Sequence, residues 1–470
     1  MVWNGGPVVS EPGFVRTEET AVFPRELDRA YPLIERAEGV WLYDGKGTAY
    51  LDAVGGGAMV ASLGHGVREI VDAARAQAEQ VAFLYNQQFT TSPQEALAKK
   101  LVALAPDFAR VHFTTGGAEA NETAVRLVRS YHVERGDVAR WRVVSPAQAY
   151  HGPTSVALGL TGRPGLQRPY EPYVVPQLHI PPSTWRFDPS GAQALAALDA
   201  VLELHGDEVA AFFCEPVSAA ALPAYSPPEA FWHGLAERRD RYGFLVVFDE
   251  VVTGMGRTGS WFAAEQLPLV PDVITTAKGL GAGYAPVGAV LCREEVFDAV
   301  AAGSRVFDLG HTWDGAPLSC AVGLAVIDYL QQRGLVDHVR EEGPRLLRAL
   351  EAALADSELV GEVRGRGFLL GIDYADPRDG RSFLPTELGV ARRIDVEALR
   401  RGLIVYSTQP TADGYAGDQT LLAPAFTSTD EELTQIVERM AETVLAVERE
   451  VKAELATRRP IEVSSSGRIQ

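Results

Sequence analysis

Asp249 and Lys278 are the two residues of this 470-residue chain whose types and positions best suit chemistry, 29 places apart (278 − 249). Asp249 and Glu250 close an apolar, β-branched run over residues 244–248, which reads as a buried strand of a parallel sheet. In open α/β sheets ligands bind at the carboxyl edge, so a carboxylate there is a site candidate. Lys278 closes a second apolar run, residues 273–277, and is followed by Gly279, Gly281 and Gly283. A lysine so placed is either a solvated surface group or an amine kept in a cleft as a nucleophile, its pKa lowered by burial and neighbouring cations.

Three further stretches offer binding chemistry. Residues 111–132, VHFTTGGAEANETAVRLVRSYH, read as a strand, a Thr-Thr-Gly-Gly turn and a helix. Glycines at a helix start let backbone N–H groups and the helix dipole face an anion such as a phosphate; the alternative is a plain glycine turn with Glu119 and Glu122 as dipole partners. Tyr150-His151-Gly152 follows a strand at 141–145, where an aromatic ring either stacks on a flat heterocycle or packs in the core. Glu215 closes a strand over 210–214, as a site carboxylate or an ordinary exposed one. Gly254, Gly256 and Gly259 spell GxGxxG, but five residues separate this stretch from the strand end, and Trp261-Phe262 follow, so the dinucleotide-binding reading lacks its strand–turn–helix context.

The elements that must carry these residues fill a long chain. Its length makes two domains the prior. The net charge of −19 opposes non-specific binding to nucleic acid or an anionic membrane surface. No apolar run approaches a membrane span of about 18 residues, and no basic-then-apolar leader opens the sequence. Cys214, Cys292 and Cys320 lie in apolar runs without zinc spacing, which suits buried thiols in a reducing cytoplasm. Residues 1–30 read as an irregular arm, 40–55 as a hairpin turning at Asp44-Gly45, and 68–83 and 93–104 as helices. Residues 162–189 read as a long surface excursion. Beyond residue 335, helices are expected at 335–355, 391–401 and 428–451, strands at 363–372 and 403–406, and a loose polar tail from 458.

FDEVVTGMGRTG, followed by the lysine of TTAKGLGAGYAPVGAV, resembles the class III pyridoxal-phosphate-dependent aminotransferases, and the likeness runs from about residue 20 to 450. The resemblance implies a fold-type I α/β enzyme. It would have an N-terminal segment (1–60) joining the small domain, a large domain (61–335) with a mainly parallel seven-stranded sheet, and a small C-terminal domain (336–470). It implies pyridoxal 5'-phosphate, with its phosphate on the backbone of Gly117 and Ala118. Tyr150 would cover one ring face and Val251 the other, with His151 and Glu215 beside the site. Asp249 would keep the pyridine nitrogen protonated. Lys278 would carry the cofactor as a Schiff base and then move the proton. Thr312 would reach the cofactor phosphate of the neighbouring subunit, making the active form a homodimer or a pair of dimers. The activity implied is a ping-pong transfer of an amino group from a primary amine or ω-amino acid to a keto acid such as pyruvate. A same-fold aminomutase, racemase or decarboxylase would use the same Asp249 and Lys278, and a nicotinamide-dependent oxidoreductase is the reading from another class.

The sequence departs from the family in one informative place. Many members carry a carboxylate-binding arginine shortly before the strand written here as residues 420–424, but no arginine lies between Tyr406 and Phe426, where Asp413 and Asp418 occur instead. Arg163 or Arg168 is the substitute the sequence offers, and Arg257 is a further charged neighbour of the cleft. Tyr85, Trp261 and Phe23 are aromatics that would suit an apolar amine.

Overall fold

The computed structural model describes residues 14–408 and 415–457. Its centre is a seven-stranded sheet made of β1 (Arg110–Thr114), β2 (Arg142–Pro146), β3 (Leu178–Ile180), β4 (Val209–Cys214), β5 (Leu245–Asp249), β6 (Val273–Thr276) and β7 (Gly288–Cys292), in the order β1-β7-β6-β5-β4-β2-β3. β5 pairs in parallel with β4 and β6, and β2 with β3 and β4; β7 runs antiparallel to both neighbours. β4 to β7 are buried along their whole length, which explains their unbroken apolar text. Helices cover both faces, and Phe212, Trp232, Phe248 and Ile274 lie in one of the resulting cores.

The C-terminal part builds a second, four-stranded antiparallel sheet from Val360–Arg366, Leu369–Tyr374, Gln419–Leu422 and Tyr406–Thr408. Leu335–Leu354, Val390–Arg400 and Asp430–Thr457 supply helices whose apolar faces share one cluster with that sheet and with Leu51 and Leu63. The expected hairpin forms from Trp41–Asp44 and Ala49–Asp52, and Leu403–Ile404 adds to it in parallel. The amino-terminal segment is therefore stitched to the carboxyl-terminal one by main-chain pairing.

Four expectations change. Residues 363–372 form a hairpin rather than one strand, bent at Gly367, whose φ of +59° and tight approach to Thr258 demand glycine. Residues 403–406 divide between two sheets, because Leu403–Ile404 and Tyr406–Thr408 pair with different partners. The stretch 162–189 is more than a surface excursion: it carries β3, the edge strand of the large sheet, and Arg186, buried against Asp373. The arm within 14–30 is not wholly irregular, since Phe14–Val15 pairs with Tyr31–Pro32. The tail from 458, residues 1–13 and Asp413 lie outside the described residues.

Candidate functional site

The carboxyl ends of β1, β2, β4, β5 and β6 meet at one edge of the sheet and border a cavity of about 320 Å³. Its lining includes Gly117, Ala118, Tyr150, His151, Glu215, Asp249, Val251 and Lys278, eight residues drawn from separate stretches of sequence.

Asp249, last residue of β5, is buried, and its carboxylate meets three donors. Oδ2 accepts from Asn121 Nδ2 and faces His151 Nδ1, each at 2.8 Å, while Oδ1 accepts the Val251 N–H at 3.0 Å. Asn121 is held in turn by the Thr275 hydroxyl at 2.7 Å, and His151 packs edge-on against Phe213. Asn121 was not foreseen from the sequence. Its only signal there is an amide on the buried stripe of the helix Gly117–Glu134, in line with Ala124 and Val128.

Lys278 opens a single 3-10 turn directly after β6, with φ +37°, a strained conformation for a side-chain-bearing residue. Burial pushes its amine below the ordinary lysine value, while the charges of Asp249 and Glu215 pull it back up. Glu215, beyond β4, has its carboxyl raised chiefly by burial, with the His151 charge opposing; it accepts the N–H groups of Tyr150 and Ala219 at 3.2 and 3.0 Å.

At the opposite wall, Gly116 caps the helix Gly117–Glu134 without any side-chain acceptor, leaving its first N–H groups to an anion. A Cβ on Gly117 would stand 2.7 Å from a Val251 methyl, so glycine there lets the loop and Val251 close on one another. Gly152, at φ +124°, packs equally tightly on Ala118. An anion cradle, a carboxylate held in one orientation, an aromatic ring and a buried amine in one cavity fit pyridoxal phosphate.

Some expected residues fall elsewhere. Thr312 is exposed and outside this cavity, on a turn that Asp314 braces by its 2.7 Å bond from the His311 N–H and its pairing with His112 of β1. Arg257 does not face the cleft: fully buried, it donates to the carbonyls of Phe368 and Pro424 under Phe426. Gly254, Gly256 and Gly259 belong to the turns around it and open no α-helix, so the nicotinamide reading fails. Trp261 packs against the cores, Tyr85 and Phe23 are exposed, and the cavity wall is instead small and aliphatic, with Val60, Val217, Ala220 and Pro286. Asp418 is consumed in accepting the Ala391 N–H at 2.8 Å.

Comparison with known proteins bears on this site. An uncharacterized aminotransferase of Bacillus subtilis, YodT, is 35% identical over 435 residues, covering 91% of this chain and 98% of its own. The mitochondrial gamma-aminobutyrate transaminase 1 of Oryza sativa subsp. japonica is 32% identical over 448 residues, with 91% and 84% covered. Among solved structures, the omega transaminase of Pseudomonas jessenii in complex with PMP superposes with a TM-score of 0.85 at 28% identity, covering 93% of this chain and 98% of that one. The fold is that of the type I pyridoxal-phosphate-dependent transferases, and the cofactor is pyridoxal phosphate. The aminotransferase class-III family model matches residues 22–444, and the chain belongs to that family of aminotransferases.

Proposed function

We propose that the enzyme moves an amino group from a primary amine or ω-amino acid to a keto acid such as pyruvate by a ping-pong mechanism, with Lys278 and Asp249 as catalytic residues. The observation that carries this reading is the meeting of Lys278, Asp249, Tyr150 and the uncapped Gly116–Gly117 turn in one cavity. Bound pyridoxal phosphate supplies a carbonyl to capture the amine and a protonated ring to draw electrons from the substrate carbon.

The chain's own residues do the rest. Backbone N–H groups of Gly117 and Ala118 hold the phosphate, and Tyr150 and Val251 cover the two ring faces. The Asp249 carboxylate, fixed by Asn121 and His151, keeps the ring nitrogen protonated. Lys278 Nζ, whose charged form burial disfavours, takes the proton from the substrate carbon and returns it on the other side of the transfer. Val60, Val217 and Pro286 keep water from the reacting atoms.

The reading includes a homodimer in which Thr312 reaches the partner's phosphate site, a small domain formed by 336–470 with the segment 1–60, a large domain 61–335 between them, and a cytoplasmic location. The exposed position of Thr312, next in sequence to Trp313 of the Phe83–Trp313 ring pair, favours its cross-subunit role. Among the described residues no helix is long and apolar enough to cross a membrane.

The test is spectral. The holoenzyme should show an absorbance band at about 400 nm from cofactor held by Lys278, and amines or ω-amino acids added without acceptor should convert it to the amine form. Pyruvate should then restore the band. A protein that stays colourless with pyridoxal phosphate and is unchanged by Lys278→Ala would sink the assignment.

A further inference from the structure

Asp314 is a buried carboxylate on a surface turn, residues 311–316, that leads into the helix Pro317–Gln332. It grips His311 from two directions. Its main-chain N–H donates to the His311 carbonyl at 3.1 Å, and its side-chain Oδ2 accepts the His311 N–H at 2.7 Å. Thr312 and Trp313 are enclosed between those bonds, so their backbone keeps little freedom.

The turn is then tied down on three sides. His112 Nε2, on the edge strand β1, stands 3.3 Å from the same Oδ2, at ion-pair distance though without hydrogen-bond alignment. Gly315, at φ +64°, approaches Gln94 so closely that a Cβ would stand 2.6 Å from its side-chain Cδ. The Trp313 ring meets Phe83 edge-on, with centroids 5.1 Å apart. Thr312 is different. It is exposed, and among the described residues its hydroxyl makes no hydrogen bond, while its neighbours on either side are engaged.

Closing a turn in this way is costly. Asp314 Oδ1 is buried with no partner, and a carboxylate half-met in the interior is a poor device for stability alone. A metal does not explain it, since among the described residues no three His, Cys, Asp or Glu side chains are grouped to hold one. The strand that carries His112 points to another reason. β1 runs from His112 straight into Thr114-Thr115-Gly116-Gly117, the turn whose free N–H groups form the anion cradle, so one short strand steadies both that cradle and the turn bearing Thr312. We propose that Asp314 is a positioning residue: gripping His311 and facing His112, it holds the Thr312 hydroxyl where it donates to the cofactor phosphate of the partner subunit. This rests on the homodimer reading of Thr312. Asp314 acts by orientation alone, because it is buried and its negative charge would repel a phosphate that it touched.

The experiment measures, by calorimetry on the full-length protein freed of cofactor, the affinities for pyridoxamine phosphate and for pyridoxamine, which lacks the phosphate. The variants are Thr312→Ala, Asp314→Ala, Asp314→Leu, Asp314→Asn and the double variant Thr312→Ala/Asp314→Ala. Thr312→Ala should weaken pyridoxamine phosphate by about 10-fold, the worth of one hydrogen bond to a charged group. Asp314→Ala, or Asp314→Leu should the smaller residue fail to fold, should lose nearly as much, with pyridoxamine bound as by wild type. Asp314→Asn still offers an acceptor to the His311 N–H and should recover most of the loss. In the double variant the two losses should not add, because both remove one contact. An Asp314→Ala or Asp314→Leu protein that binds both ligands more weakly by the same factor, or whose loss adds in full to that of Thr312→Ala, would overturn the proposal by showing a purely structural role. Wild-type binding in those variants beside a weakened Thr312→Ala would overturn it as well and leave the Thr312 reading intact. If Thr312→Ala itself binds pyridoxamine phosphate like wild type, the cross-subunit reading fails and this inference falls with it.

Discussion

His151 Nδ1 lies 2.8 Å from Asp249 Oδ2, the same oxygen that receives the Asn121 amide at 2.8 Å. Two donors on one oxygen fix the plane of the carboxylate and leave it in a single orientation at the cavity floor. Removing either donor lets the carboxylate rotate, whereas removing the charge takes away the partner of the ring nitrogen. Asn121→Ala is therefore expected to lower kcat by ~10–100-fold, the worth of one hydrogen bond to a charged group. Asp249→Asn should lower it much further. Steady-state kinetics at saturating cofactor decide the order, and an Asn121→Ala enzyme with wild-type kcat would contradict it.

Lys278 must be uncharged to accept a proton once the donor is bound, so the acid limb of kcat for donor, which reports the enzyme–donor complex, should follow its amine. Burial lowers that pKa, and the negative charges of Asp249 and Glu215 raise it. Glu215→Gln removes one of the raising charges. The acid limb should then move to lower pH, read from a pH profile with one donor; a limb displaced upward would refute the sign.

Gly152 combines φ +124° with a position where a Cβ would stand 2.6 Å from the Ala118 Cβ. Gly152→Ala should cost about 1–3 kcal/mol from the backbone alone and push Tyr150-His151 away from the helix Gly117–Glu134. Cofactor titration should show weaker binding together with a lower Tm. A variant that binds cofactor as tightly as wild type would show the close approach to be dispensable.

Arg257 joins the turn after β5 to two carbonyls of the carboxyl-terminal half, at Phe368 and Pro424. Arg257→Met would keep the bulk but strand both acceptors, a loss of about 2–5 kcal/mol, measured by urea unfolding. The same protein should show no saturable binding of a nicotinamide dinucleotide by calorimetry.

Thr312 offers a test by mixing. Lys278→Ala and Thr312→Ala chains refolded or exchanged together form mixed dimers. If Thr312 serves the neighbouring site, one site of each mixed dimer has both residues intact, and activity should rise above that of either parent. If Thr312 serves its own chain, no site in the mixture is whole and activity should not rise.

Much of this was written locally. The apolar runs at 209–214, 244–248 and 273–277 announce buried strands because a strand covered on both faces has no polar alternation to keep. Asp249, Lys278, Glu215 and Tyr150 stand where those runs or their neighbours end, and the Thr-Thr-Gly-Gly turn marks a helix start with free N–H groups. β3 was illegible, since three residues between proline-rich segments carry no period. The hairpin at Gly367 was hidden because an apolar run continues through the bend.

Sequence alone determined which residues end at a strand edge, because that follows from neighbours along the chain. Tertiary structure decided how those ends are used. Parallel pairing of β4, β5 and β6 brings Glu215, Asp249 and Lys278 to one edge. Only in three dimensions does Asn121, a polar break in a helix stripe, become the partner of a carboxylate 128 positions away. Arg257, read from the sequence as a neighbour of the cleft, went instead to the interior, where it donates to the carbonyls of Phe368 and Pro424. Burial and long-range pairing set those fates, and neither is a property of a residue's sequence neighbours.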